Sequence, residues 1–113
     1  MHELSVTEGI LKICLDEGKK HNIEKIKKIN IVVGELTGLM PNCISYYFNI
    51  ATKGTLAEEA EISITYEKVK IKCKSCGFEG QLLSNQYVCP NCGKSDYKIV
   101  KGREFYIDTM EVE

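Results

Sequence analysis

The chain has 113 residues, with 43% hydrophobic and 27% charged side chains, which is the composition of a folded globular protein of one domain or two very small ones. Its formal charge of −1 argues against a nucleic-acid binder with a broad basic face and against tight binding to an acidic membrane surface. The first fifteen residues include His2, Glu3, Glu8 and Lys12, which predicts no secretion signal, and no apolar run nears the roughly 20 residues of a membrane span.

Residues 4 to about 20 read as a helix, with Leu4, Ile10, Leu11, Cys14 and Leu15 as its apolar stripe and Ser5 with Glu8 as a capping box. Gly18 and the Lys19-Lys20-His21-Asn22 run mark its end. Residues 26–34 alternate as a strand through Ile29, Ile31 and Val33 until Gly34, Thr37 and Gly38 break the pattern. Pro41 suits the first turn of a second helix, whose stripe is Ile44, Tyr47, Phe48 and Ala51 and whose end is Gly54. Residues 61–71 form another strand. Its apolar parity switches between Ile62, Ile64, Tyr66 and Val69, Ile71, which predicts a bulge or a passage from one sheet into another layer. A last strand covers 103–112. The predicted fold is α+β: a small three-stranded sheet with two helices, formed by residues 1–69 and 102–113, and an inserted zinc-ribbon-like domain at 70–101.

The inserted segment holds Cys73-Lys74-Ser75-Cys76 and Cys89-Pro90-Asn91-Cys92, separated by twelve residues. Two such knuckles place four thiolates at the corners of a tetrahedron, which favours Zn²⁺ and, less strongly, iron. Gly77 and Gly93 follow the second cysteine of each pair. Glycine there allows a positive φ that turns amide N–H groups toward sulfur. With all four ligands from protein, the shell is closed to water and substrate, so the metal is structural and not catalytic. Six cysteines without a secretion signal fit a reducing, cytoplasmic setting. The segment has little core of its own beyond Phe78, Leu82, Leu83, Tyr87 and Val88, so its folding requires the metal. Four thiolates and a Zn²⁺ take the net charge to about −3. Lys68, Lys70, Lys72, Lys74 and Lys94 either offset that local charge or form a solvated face. Of the two other cysteines, Cys14 falls on the first helix's stripe. Cys43, in the first turn of the second helix, is also assigned to the interior.

The chain begins Met1-His2-Glu3. A bulky residue at position 2 is expected to block removal of the initiator methionine. The terminal amine of Met1, the His2 backbone nitrogen and the His2 imidazole then form a short chelate, with the Glu3 backbone nitrogen or carboxylate as the fourth donor. Such nitrogen-rich sets favour square-planar Ni²⁺ or Cu²⁺ over tetrahedral Zn²⁺. Taken alone, the three residues also fit a frayed terminus. His21, the one other histidine, is placed at a helix end and given no ligand role.

Met-His-Glu at the start, Val33-Gly34-Glu35-Leu36-Thr37-Gly38 after the first strand and the two knuckles together resemble the HypA/HybF family over the whole chain. The resemblance implies a nickel-insertion accessory protein for [NiFe]-hydrogenase, a nickel metallochaperone and not an enzyme. Its nickel site would map to Met1, His2 and Glu3, and its zinc ligands to Cys73, Cys76, Cys89 and Cys92. It further implies the GTPase HypB as a partner and the hydrogenase large subunit as recipient, with no nucleic acid or membrane involved. A homodimer is compatible with the sequence. Some family members carry histidines beside the zinc cysteines, associated with pH-responsive geometry. This chain has none there, so no histidine-based switch is expected, and Glu35 is given no ligand role. The alternatives are a zinc-ribbon module binding nucleic acid or protein, a rubredoxin-like electron carrier, for which twelve residues between pairs is short, and an enzyme, for which no nucleophile–base pair is evident.

Overall fold

The computed structural model describes residues 2–83 and 86–113, the side chain of His2 excepted. Helix α1 covers His2–Lys20, strand β1 Ile26–Gly34, helix α2 Pro41–Ala51 and strand β2 Glu61–Glu67. Strands β3 (Lys70–Cys73), β4 (Glu79–Gln81) and β5 (Tyr97–Lys101) follow, and β6 (Phe105–Val112) comes last. Two three-stranded sheets result, ordered β2-β1-β6 and β4-β3-β5. The fold is α+β, as expected.

β1 is the centre of the first sheet, parallel to β2 and antiparallel to β6. Its register sets Ile29 against Ile62 and Met110, and Ile31 against Ile64 and Ile107. Those side chains face the helices and form one core with Ile10, Leu11 and Cys14 of α1 and Ile44 and Phe48 of α2. The opposite face is polar around Asn30, whose Nδ2 donates to Thr109 Oγ1 at 2.8 Å, and around Lys28, 3.3 Å from Glu61, with Val32 as a buried apolar residue among them. A sheet covered on one face alternates apolar and polar residues in this way.

Helix α1 starts at His2, so Ser5 is inside the helix and the expected capping box does not form. Instead the Thr7 hydroxyl donates to the Glu3 carbonyl at 2.6 Å. Leu4 is 42% exposed, and the buried stripe is carried by Thr7, Ile10, Leu11 and Cys14. At the other end Asn22 adopts φ 55°, a left-handed turn that ends the helix. Pro41 occupies the first turn of α2. Cys43 is exposed, against expectation, because the phase of α2 is set by Ile44 and Phe48, which point into the core.

The parity switch in residues 61–71 is a change of sheet. β2 ends at Glu67, Lys68 and Val69 pass between the layers, and β3 begins the second sheet at Lys70. The chain returns through Gly102, whose carbonyl accepts the Leu36 N–H at 2.7 Å, while Glu104 accepts the Gly34 N–H at 2.7 Å. The two layers lie along a molecule of 54 × 26 × 17 Å with a radius of gyration of 17.6 Å. A single compact chain of this length would have about 13 Å.

Candidate metal centre

The four cysteines converge at the far end of the second sheet. β3 alternates exposed and buried residues, which turns Ile71 and Cys73 to the inner face. Cys73 ends β3, and the chain turns back at once: the Gly77 N–H reaches the Cys73 carbonyl at 3.1 Å, and the Cys73 N–H reaches the Phe78 carbonyl at 2.7 Å. The second knuckle repeats both bonds, Gly93 N–H to the Cys89 carbonyl and Cys89 N–H to the Lys94 carbonyl, each at 2.8 Å. Gly77 and Gly93 have φ of 79° and 77°, the left-handed turn anticipated from their positions. The Lys74 N–H donates to the Asp96 carbonyl at 2.9 Å and ties the first knuckle to the strand that follows the second.

The sulfurs of Cys73, Cys76, Cys89 and Cys92 all lie within 4.8 Å of one another. Cys73 and Cys92 are 3.6 Å apart, as are Cys76 and Cys89. A tetrahedron with Zn–S bonds of about 2.3 Å has sulfur–sulfur edges near ~3.8 Å, so the cluster has the size and the donor set for a structural Zn²⁺. Cys73 and Cys89 are buried, whereas Cys76 and Cys92 face solvent. The sulfurs are electrostatically unequal. The Asn91 amide, then the Phe78 N–H, bring the Cys76 thiol down to about 6. For Cys92 the Lys94 N–H acts downward, but desolvation and the neighbouring sulfurs outweigh it and hold the thiol up at about 11. Four thiolates so close repel one another, and a divalent cation removes that repulsion.

Among the described residues of this unit, only Ile71, Cys73 and Cys89 are fully buried, with Val69, Phe78, Leu82, Tyr97 and Ile99 packed around them. Leu83 and Tyr87 are 55% and 77% exposed and do not contribute the core expected of them. Tyr97 and Ile99 take that place. Both lie on β5, whose pairing with β3 is set by residues distant in sequence.

His2 and Glu3 belong to α1, far from the cysteines in sequence. Met1 and the side chain of His2 fall outside the described residues. Glu3 is described: its Oε2 accepts the Met40 N–H, at the start of α2, at 3.3 Å. Its carboxyl is held below the ordinary range, first by its own backbone N–H and then by that of Met40. The carboxylate is therefore ionised at neutral pH and sits where the two helices begin. Spacing arguments could not have found Met40, because only the α1–α2 packing brings it to Glu3.

The family described as "Hydrogenase/urease nickel incorporation, metallochaperone, hypA" matches residues 1–112. The Hydrogenase maturation factor HypA of Caldanaerobacter subterraneus subsp. tengcongensis is 40% identical over 114 residues and covers 100% of both chains. That of Aquifex aeolicus is 33% identical over 100% of this chain and 98% of its own. A solution structure of HypA protein overlays with a TM-score of 0.72 at 26% identity, across 100% of this chain and 97% of that one. The Ni metallochaperone HypA from Helicobacter pylori, at 24% identity and a TM-score of 0.65, shares the fold over 97% of this chain and 96% of its own. Fold and cysteine cluster together define a metal-binding α+β protein with a closed four-sulfur centre. The chain belongs to the HypA family of hydrogenase/urease nickel-incorporation metallochaperones.

Proposed function

We propose that this chain binds Ni²⁺ at its amino terminus and delivers it during [NiFe]-hydrogenase maturation. The observation that carries the reading is the family match over residues 1–112, together with 40% identity across the full length of a hydrogenase maturation factor. The local chemistry supports it. Helix α1 begins at His2, so His2 and Glu3 fall in its first turn, where helix geometry offers no carbonyl one turn back to the N–H groups. Backbone nitrogens at such a position can deprotonate onto a metal without breaking a helical bond. The Met1 amine, the His2 backbone and imidazole nitrogens and a Glu3 donor form the nickel site. The ionised Glu3 carboxylate adds negative charge beside it.

Nickel is cargo, and the event is ligand exchange: an incoming ligand occupies one position as an outgoing donor leaves. No bond of a substrate is made or broken, so the protein acts as a carrier and not as an enzyme. Residues 1–69 with 102–113 form the carrier domain. Residues 70–101 form the supporting zinc domain, with Cys73, Cys76, Cys89 and Cys92 as its ligands. HypB and the hydrogenase large subunit are the proposed partners, and the cytoplasm is the proposed compartment. Among the described residues no helix is long and apolar enough to cross a membrane.

Calorimetric nickel titration of the native protein, of His2→Ala and of a form with one residue added before Met1 tests the chelate. Both altered forms should bind far more weakly. Undiminished affinity in the extended form would remove the terminal amine from the ligand set.

A further inference from the structure

The formal charge of −1 conceals a division along the chain. Residues 68–103, which carry the second sheet and the four cysteines, hold seven lysines and Arg103 against Glu79 and Asp96. That segment is therefore at +6, and the rest of the chain, with seven basic and fourteen acidic residues, is at −7. Four thiolates and one Zn²⁺ subtract two, so the segment remains near +4. The molecule is 54 Å long and the screening length in physiological salt is about 8 Å, so the two ends do not neutralise each other.

The excess is concentrated on one face. The alternation in β3 turns Ile71 and Cys73 inward and Lys70 and Lys72 outward. The β3–β5 register then sets Lys72 directly against Lys98 and Lys70 against Lys101. Lys101 has partial relief from Glu67 at 3.8 Å. Glu79 is opposite Lys72 on β4, yet among the described residues Lys70, Lys72 and Lys98 are in no ion pair. Directly opposed like charges weaken a sheet. Here two such pairs occupy the unit with three fully buried residues among those described, the part of the molecule least able to sustain them. Glu67 and Glu79 offset this only in part, and a local arrangement that opposes folding and is incompletely compensated inside the chain marks a binding surface.

We propose that this lysine face docks an acidic segment of a partner protein. Lysines two apart on a strand repeat at about 6.8 Å, the same repeat as alternate side chains of an extended peptide. Phe78 and Tyr97 pack with the core on the opposite face, so neither offers the lysines a platform on which bases would stack. The acidic end of a second copy has the complementary charge. That contact is head-to-tail, however, and propagates into open chains unless rotation closes it. A separate acidic partner satisfies the face without that consequence.

The proposal does not depend on nickel, so the test uses the full-length zinc-loaded protein without nickel. Binding of a labelled peptide of alternating glutamate and threonine is followed by anisotropy, for native protein, for Lys72→Gln with Lys98→Gln, and for Lys27→Gln with Lys53→Gln as an equal charge change elsewhere. Zinc content is checked in each. Saturable binding is expected, weakened by about tenfold in the Lys72/Lys98 variant and within about twofold of native in the control. Relief of the opposed pair should also make the Lys72/Lys98 variant melt at a higher temperature than native. Absence of saturable binding, or equal loss in both variants, overturns the proposal. Tighter binding of an oligothymidylate would assign the face to nucleic acid instead. Self-association abolished by the Lys72/Lys98 change would assign it to a second copy.

Discussion

The carboxylate of Glu35 accepts the backbone N–H of Val69 at 2.9 Å, joining the turn after β1 to the link between the two sheets. Thirty-four residues separate them in sequence. Lys68 and Val69 have left the first sheet and not yet entered the second, so no ladder can satisfy that N–H. Glu35→Ala should cost about 1 kcal/mol in stability, the usual net worth of a lost hydrogen bond. More specifically, the Val69 amide should exchange faster, while amides inside β3 and β5 keep their protection. Unchanged exchange at Val69 would show that this bond does not hold the link.

Gly34 is where the outgoing and returning chains cross. A Cβ added there would overlap the Gly102 carbonyl, the group that accepts the Leu36 N–H. Gly34→Ala should therefore displace backbone and not merely a side chain, with a loss of about 1–3 kcal/mol, as for other overpacked sites. Denaturant unfolding would measure it. A variant as stable as native would mean that the crossing yields easily.

Cys14 and Cys43 should separate cleanly in thiol labelling of the zinc-loaded protein. Cys14 is fully buried, and burial pushes its thiol up to about 11 from an ordinary value of 9.0. Cys43 is exposed. A maleimide at neutral pH should modify Cys43 quickly and leave Cys14 intact until the protein unfolds, as mass spectrometry of the labelled peptides would read out.

The same burial has a pH signature. Between about pH 9 and 11 the unfolded chain loses the Cys14 proton and the folded chain keeps it. The unfolded state then binds fewer protons, so stability falls as pH rises through that window, by at most about 2–3 kcal/mol, and levels off above it. Cys14→Ala should lack this component. Parallel stability–pH curves for the two proteins would contradict it.

Removal of zinc by a chelator should unfold the β4-β3-β5 sheet and spare β2-β1-β6. The former has a small core around Ile71, Cys73 and Cys89, while the latter shares a core with both helices. Lowering the pH should release zinc as well, since thiolate ligands take up protons. Amide spectra recorded with and without chelator would show which resonances collapse. Loss of both sheets together would mean that they are one cooperative unit.

Features legible from the sequence were those set by local pattern. The knuckle glycines, the Pro41 start and the parity switch before Cys73 each report a backbone requirement within a few residues. The misreadings have tertiary causes. Ser5 has the right spacing to Glu8 for a cap, but the helix begins at His2 and so encloses Ser5. Cys43 is apolar enough for a core, yet α2 is phased by Ile44 and Phe48. β4, Glu79–Gln81, has no strand-forming composition and exists because β3 offers it a ladder. The Lys72–Lys98 opposition was invisible for the same reason: it requires the β3–β5 register.

The placement of β6 couples the metal to a sheet it never touches. β1 waits for its antiparallel neighbour until the chain has passed through the whole cysteine unit, so Ile31 meets Ile107. If that unit were slack, bringing the ends of segment 68–104 together would cost about 3 kcal/mol of chain entropy for its roughly 37 residues. A metal clamp folds the segment into a short, fixed span and removes much of that cost before β6 arrives. Zinc would therefore act on the helical end of the molecule through connectivity as well, as a staple in a loop does, so its removal should lower the stability of the β2-β1-β6 sheet without unfolding it.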